Sequence, residues 1–376
     1  MNSRSWSRVS FDTAFADRTS EGRKIKQINF QSSGRVPIVD QGADFVAGYS
    51  DECTLAWSGP LPVIVFGDHT RAIKYVDFPF ILGADGVKVL VPARELLARF
   101  AYHYLQYLNI PSHGYSRHFK FLKEFPIPVP PLAEQERIVK LLDDADELRK
   151  LRTQADQRTA TLIPALFHEI FGDPTRNSKK LPVITMQDAG RVQLGRQRAP
   201  KYQSGNFTRP YVRVANVFEN RIDVSDLLSM DFNERDFQQY RLEQGDILLN
   251  EGQSTELVGR PAMWRGEVPN CCFQNTLLRF QPDRTLISPD YALALCLTYY
   301  REGAFARISS KTSNVAHLGA ARFASMPFLL PPLALQQAFA AHVAEIRQLE
   351  ARQAASRQRL DALFQSMLHR AFNGEL

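Results

Sequence analysis

Residues 126–172, PIPVPPLAEQERIVKLLDDADELRKLRTQADQRTATLIPALFHEIFG, recur in diverged form at residues 327–373, PFLLPPLALQQAFAAHVAEIRQLEARQAASRQRLDALFQSMLHRAFN. An ungapped shift of 201 positions lays Pro126, Pro130, Pro131, Leu132, Ala133, Gln135, Leu148, Gln157, Arg158, Leu162, His168 and Phe171 on identical residues. A solenoid repeats every ~20–50 residues, so this is not one. The period implies two large half-units, each ending in a long helix, and a task that has to be done twice.

The sequence divides accordingly. Residues 1–131 are a mixed, strand-leaning domain, with β-branched runs at 61–67 and 86–92 and a helix expected over 93–108. Residues 132–172 form the first long helix. Residues 173–332 hold a linker and a second mixed domain, with strands expected at 210–218, 245–250 and 275–282 and a helix at 289–305. Residues 333–376 form the second long helix. Between the halves, Gly172 can end a helix and Pro174 forbids its continuation.

Each long helix follows Pro-Pro-Leu, an extended approach that suits a helix start. Ile138, Leu141, Ala145, Leu148, Ala155, Thr159, Leu162 and Leu166 follow the alternation of three and four of a heptad seam. So do Phe339, Val343, Ile346, Leu349, Leu360, Leu363 and Met367. A narrow seam on a helix of about 40 residues, roughly 60 Å long, needs a partner helix, and the other copy is the economical one. Arg152 and Ala155 against Gln353 and Ser356 would allow close approach or fix register. Pro164, inside the first helix, should kink or interrupt its last turns.

The hydrophobic content of 44% supports real cores. No run approaches the ~18 apolar residues of a membrane span, and the N-terminus lacks a signal-peptide core. Cys53, Cys271, Cys272 and Cys296 have neither metal nor redox-pair spacing and read as reduced thiols of a cytoplasmic protein. The net charge of +6 is uneven: +3 over 1–131, −2 over 132–172, +4 over 173–332 and +1 over 333–376. Basic domains on near-neutral helices are compatible with nucleic acid.

At this point the chain resembles the specificity subunit of a type I restriction–modification enzyme, over essentially its whole length. The phrases GYSRHFKFLKEFPIPVPPLAEQERI (114–138), VDQGADFVAGYSDE (39–52) and GDHTRAIKYVDFPFILGADGVKVL (67–90) carry the likeness in the first half. PYVRVANV (210–217), GDILLNEGQSTELVGR (245–260) and CCFQNTLLRF (271–280) carry it in the second. Leu335 stands where the usual phrase has Glu, so the second helix start has diverged. The resemblance implies an α+β fold with pseudo-twofold duplication: two target recognition domains joined by two long antiparallel coiled-coil helices. Each domain would read half of a split double-stranded DNA target, and the helices would set the spacing. Implied partners are two copies of a DNA adenine methyltransferase subunit and a translocating endonuclease subunit. S-adenosylmethionine, ATP and magnesium would belong to those partners, with no cofactor on this chain.

Candidate DNA contacts come from loops. Between Ala189 and Phe218 there are six basic residues and no acid, interleaved with aromatics, and Arg196, Arg198, Lys201, Tyr202, Arg213 and Asn216 are taken from it. The loop at 250–260 offers Gln253, Ser254 and Thr255; the acid-free stretch after Glu302 offers Lys311, Ser313 and Asn314. A matching acid-free stretch from Leu96 to Lys123 offers His113, Tyr115, Ser116, Arg117, His118 and Lys120. Both stretches lie just upstream of Pro-Pro-Leu. In GDHTR, Asp68, His69, Thr70 and Arg71 are taken as DNA contacts; an acid–base set drawn from them is the rejected reading.

No Asn/Asp-Pro-Pro-aromatic motif, GxGxxG or GxxxxGK[ST] loop occurs. The chain therefore reads as a noncatalytic DNA reader. Its rivals are a coiled-coil scaffold with an incidental basic surface and a fused single-chain enzyme.

Overall fold

The computed structural model describes residues 6–83, 86–112, 114, 116–199, 205–312 and 315–376. The chain forms two compact units: residues 1–154 with 353–376, and residues 155–352. Their limits fall within the long helices, not at the helix starts.

The first unit contains β1 (Arg8–Val9), α1 (Phe11–Ala14), β2 (Phe15–Asp17), β3 (Val36–Val39), β4 (Gly48–Ser50), β5 (Val63–Gly67), β6 (Ile73–Val76), β7 (Ile81–Leu82) and β8 (Val87–Pro92). Then come α2 (Ala98–Tyr107), α3 (Phe119–Leu122), β9 (Ile127–Pro128) and the long α4 (Leu132–Ala160). The main sheet runs β2-β8-β5-β6, a smaller one β4-β3-β7, and β1 pairs with β9. In the main sheet every pairing is antiparallel. Strand β5 is buried along its length, which is why VIVFG is an unbroken apolar run. Its alternation sends Ile64 and Phe66 to a core shared with Phe100, Ala101 and Leu105 of α2. Val63 and Val65 enter a second core with Trp57, Val76 and Phe80.

The second unit contains α5 (Leu162–Phe171), β10 (Val183–Thr185), α6 (Met186–Ala189), β11 (Gly190–Leu194), β12 (Thr208–Val212), β13 (Val217–Phe218), β14 (Arg221–Ile222), β15 (Leu228–Asp231) and α7 (Glu234–Tyr240). It continues with β16 (Ile247–Asn250), β17 (Gly252–Gln253), β18 (Pro261–Met263), β19 (Cys272–Phe273), β20 (Leu277–Pro282), α8 (Pro289–Arg301) and α9 (Ala304–Ile308). The last elements are β21 (Ser310–Thr312), β22 (Val315–His317), α10 (Ala320–Ala324), β23 (Pro327–Leu329) and the long α11 (Leu333–Phe372). The expected helix over 289–305 is two helices, because Gly303 adopts φ +69 between them.

The duplication extends to the sheets. The order β11-β20-β16-β18 matches β2-β8-β5-β6 strand for strand, and β15-β12-β19 matches β4-β3-β7. The one parallel pairing of each small sheet is kept, β3 with β7 and β12 with β19. The pair β10–β23 repeats β1–β9.

Within the first unit, Arg137 of α4 donates to the Leu376 carbonyl at 2.8 Å and Arg149 to Asp361 at 2.8 Å. As one number rises the other falls, so this part of α4 runs antiparallel to the end of α11. The seam between them joins Ile138, Leu142 and Ala145 to Phe364, Leu368, Ala371 and Phe372. In the second unit Phe167 and Phe171 of α5 meet Phe339 of α11, with centroids 5.9 and 5.4 Å apart.

The expected seam needs correction. Leu141, Leu148, Leu162, Leu349 and Leu363 are exposed. Each long helix faces its own domain as well as a partner helix. The buried stripe is therefore broader than a heptad seam: it keeps Ile138, Ala145, Phe339 and Val343 and takes in Leu142 and Phe364 in place of Leu141 and Leu363. The helical break falls at Thr161, and α5 starts at Leu162. Pro164 has no N–H for the Ala160 carbonyl, and its ring collides with that carbonyl in an unbroken helix.

Candidate nucleic-acid interface

In the first unit the site grows from the end of β5. Gly67 N–H donates to the Ala72 carbonyl at 2.8 Å and Arg71 N–H to the Gly67 carbonyl at 2.7 Å, closing a tight loop over 68–71. Arg71 ends that loop with φ +65 and donates its guanidinium to the Ile110 carbonyl at 2.9 Å. The buried Asp68 carboxylate accepts Phe119 N–H at 2.8 Å. The Asp68 carbonyl accepts His118 N–H at 2.7 Å and lies 3.0 Å from His118 Nδ1. These bonds lock the 68–71 loop to the segment before α3. Gln41 supports the loop from beneath: its side chain accepts His69 N–H at 3.2 Å and its carbonyl accepts the Thr70 hydroxyl at 2.5 Å.

Two candidate contacts, one in GDHTR and one in the 96–123 stretch, are placed inside the fold. Asp68 and His118 are buried and form the joint itself, because a carboxylate at the N-terminus of a short helix is engaged by backbone N–H groups. Thr70, Arg117 and Lys120 are exposed around the joint, and His69, Arg71 and Ser116 are half-buried. Lys120 Nζ lies 4.8 Å from the Phe121 ring centroid. His113 and Tyr115 lie outside the described residues.

The second unit builds the same joint at the end of β16. The Glu251 carbonyl accepts Leu318 N–H at 2.8 Å, and Glu251 Oε2 lies 3.2 Å from His317 Nδ1. Here the two segments also share a sheet, β17-β22-β21. Its register sets Gln253 opposite Ala316 and Lys311 opposite Ala316 from the other side. Gln253 Oε1 accepts Ser254 N–H at 3.1 Å, and the Ser254 carbonyl accepts the N–H groups of Leu257 and Val258. Ser254 and Thr255 are half-buried, and Lys311 is exposed. Ser313 and Asn314 lie outside the described residues.

The basic stretch 189–218 divides. Arg196 is bound to Asp236 at 2.7 Å and to the Asp231 carbonyl at 2.8 Å, over the Phe232 ring. Arg213 is bound to Asp226 at 2.8 Å. Asn216 is buried, donates to the carbonyls of Asp223 and Asp226 at 3.0 Å, and accepts Arg213 N–H at 3.0 Å. Asn216 is thus an internal support, and the half-buried Arg196 and Arg213 are held by partners within the unit. The stretch is free of acids only along the sequence; the fold brings Asp226, Asp231 and Asp236 to it. Arg279 is likewise taken up inside, 3.3 Å from Asp246. Burial lowers the Arg279 pKa and raises that of Asp246, each against the pull of its partner. Arg198 is exposed. Lys201 and Tyr202 lie outside the described residues.

Burial pushes the Cys271 and Cys272 thiols up to about 12, which makes them poor nucleophiles. Among the described residues no His, Cys, Asp and Glu side chains gather in a group that could hold a metal. No helix among them is long and apolar enough to cross a membrane. Two supports escaped the sequence reading. Gln41 sits within the VDQGAD phrase; Arg322, which binds the base of β21 and β22, has no local signal at all.

Known proteins resemble this chain in sequence and in fold. The type I restriction modification DNA specificity domain matches residues 16–158. A putative type I restriction enzyme specificity subunit of Haemophilus influenzae is 25% identical over 295 residues, covering 73% of this chain and 72% of that protein. A putative specificity subunit of Methanocaldococcus jannaschii is 27% identical over 132 residues, and the match spans 35% of this chain and 31% of that protein. In fold, the crystal structure of the type I restriction–modification S subunit from M. genitalium matches with a TM-score of 0.58 at 15% identity, covering 99% of this chain and 97% of that one.

Proposed function

We infer that this chain, a relative of the type I restriction–modification specificity subunits in sequence and in fold, is the DNA-reading subunit of such a complex. The observation that carries this is the repeated joint. Each unit ties the loop after its central strand to the segment before Pro-Pro-Leu, through Asp68 and His118 in one case and Glu251 and Leu318 in the other. The scaffold is the same, while the side chains around it differ. Two readers of one build with unlike surfaces suit a split target whose halves differ. Basic and amide side chains on such loops supply phosphate and base-edge contacts.

On this reading α4 and α11 set the separation of the half-sites. A helix of 29 residues is about 44 Å long, and one of 40 about 60 Å. Half-sites on one face of DNA lie a helical turn, ~34 Å, or a multiple of it apart. The chain works with the methyltransferase and translocating endonuclease subunits, two copies of the former. The methyl donor, ATP and magnesium fall to them, and this chain contributes no chemistry. The loop that could be drawn as an acid–base set has its carboxylate engaged by the Phe119 N–H, which supports a structural role for Asp68.

The test is modified-base mapping of genomic DNA from cells expressing this chain with its methyltransferase subunit, against cells lacking only this chain. The expected result is a split, asymmetric methylated motif that vanishes without it. Unchanged methylation by an assembled complex would return the scaffold reading.

A further inference from the structure

The sheet β17-β22-β21 distinguishes the second unit. In the first unit the corresponding stretch, residues 109–118, forms no strand among its described residues. The hairpin β21–β22 pairs Ser310 with His317, Lys311 with Ala316 and Thr312 with Val315. Strand β17 pairs only with His317 and Ala316. Two strands therefore run one residue pair past the third.

We propose that β21–β22 is a major-groove probe, so that the second unit reads its half-site with a two-stranded ribbon while the first reads with loops around a short helix. We assign Arg322 as the positioning residue that sets the ribbon's angle. This rests on the DNA-reading function proposed above.

The dimensions fit. The major groove is about 12 Å wide and admits an α-helix or a two-stranded ribbon. The overhang leaves two strands, not three, at the leading edge. The ribbon's own stretch, residues 303–344, contains no acid; the fold brings Glu251 to its base at His317 and Glu256 within electrostatic reach of Lys311. Lys311 and Val315 are exposed near that edge. A lysine suits a phosphate or a guanine edge, and a branched apolar side chain suits a thymine methyl.

The base of the ribbon is held from both sides. Arg322 Nε donates to the Leu318 carbonyl at 3.0 Å. Its Nη2 donates to the Ser310 hydroxyl at 2.9 Å and to the His317 carbonyl at 2.7 Å. One guanidinium thus ties the start of β21 to the end of β22. The His317 ring lies so close over Gly252 that a Cβ there would meet it at 3.2 Å, and Glu251 holds the ring at 3.2 Å. Ala316, between these contacts, is buried in the unit's main core.

The experiment uses the assembled complex of this chain with its methyltransferase subunits, after the motif has been mapped. Methylation rates are compared on the mapped target and on targets altered in one half-site or the other. Arg322→Ala is expected to reduce discrimination at the second unit's half-site by about tenfold, the scale of one good base contact. Discrimination at the first half-site and the salt dependence of binding should match wild type. Arg322→Lys, which keeps the charge but not the fork, should behave like Arg322→Ala. Gly252→Ala, which displaces His317, gives a second route to the same half-specific loss where the Arg322 variants do not fold. Unchanged discrimination at the second half-site, or equal loss at both, overturns the assignment. Wild-type complex that discriminates neither half-site overturns the DNA-reading function itself.

Discussion

Gln135 and Gln336, 201 positions apart, are both fully buried and make the same three hydrogen bonds. Gln135 donates to the carbonyls of Glu95 and Pro130 at 2.8 Å and accepts Leu97 N–H at 2.8 Å. Gln336 donates to Leu286 and Pro331 at 3.1 and 2.8 Å and accepts Ser288 N–H at 2.9 Å. Leu97 and Ser288 are the N-caps of α2 and α8. In each unit one amide therefore fixes the start of the domain helix to the start of the long helix. Replacing either glutamine by leucine strands a buried N–H and two carbonyls. Each replacement should destabilise its unit by about 1–3 kcal/mol, read as a lowered midpoint in urea. A loss at only one of the two positions would break the equivalence.

An ion pair near that junction recurs with its polarity reversed, one turn further along the long helix. Arg99, second residue of α2, meets Asp143 of α4 at 2.7 Å; Asp290, second residue of α8, meets Arg347 of α11 at 2.6 Å. Arg347→Asp alone should destabilise, and adding Asp290→Arg should restore most of the loss. Both pairs are only partly buried, so a double-mutant cycle should give a coupling of about 1 kcal/mol at most. A coupling indistinguishable from zero would make the reversal incidental.

His103 sets a pH limit for the first unit. Its ring is fully buried, 2.7 Å from Asp143, and burial lowers its pKa despite that carboxylate. A base whose folded pKa is depressed is neutral when folded and must take a proton to unfold at lower pH. Its stabilising effect is present above the unfolded value of about 6.5 and is lost as pH falls below it. Melting temperature should drop between pH 7.5 and 5.5, and less steeply in His103→Gln. Parallel curves would exclude His103 as the cause.

Basic residues should separate into two groups. Arg117→Ala, Lys120→Ala, Arg198→Ala and Lys311→Ala should each lower the salt slope of DNA binding by up to about 0.9 for every phosphate left without its cation, with the melt unchanged. Arg196→Ala should lower the melt, since it leaves the part-buried Asp236 carboxylate without its partner, while Arg213→Ala should lower it less, because Asp226 is largely exposed. If all six variants behaved alike, the assignment of internal and surface roles would be wrong.

The repeat exposed the architecture because a shared 47-residue pattern survives divergence at most positions. Strands such as β5 and β16 were legible because a strand buried on both faces must be apolar at every position. The seam held at Ile138, Ala145, Phe339 and Val343 and missed by one residue at two positions, with Leu141 for Leu142 and Leu363 for Phe364. Periodicity reports that a helix is amphipathic but not how many neighbours share its face. The internal pairing of Arg196, Arg213 and Asn216 was hidden for a related reason. Their acidic and carbonyl partners, at Asp223, Asp226, Asp231 and Asp236, are distant enough along the chain that local composition hides the pairing. The joints at Asp68 and Glu251 are formed by backbone groups, which every sequence carries and none advertises.

The first unit borrows part of its core from the far end of the chain, since Phe364, Leu368, Ala371 and Phe372 pack on Phe100, Ile138 and Leu142. Synthesis therefore meets the halves in an unexpected order. The segment made first keeps an open apolar wall until Phe364, Leu368, Ala371 and Phe372 are free to reach it, while the second unit's core draws on no residue beyond Val343. A released chain cut after residue 360 should give a protease-resistant second unit and a cleavable first one. The oldest part of the polypeptide is the last to mature.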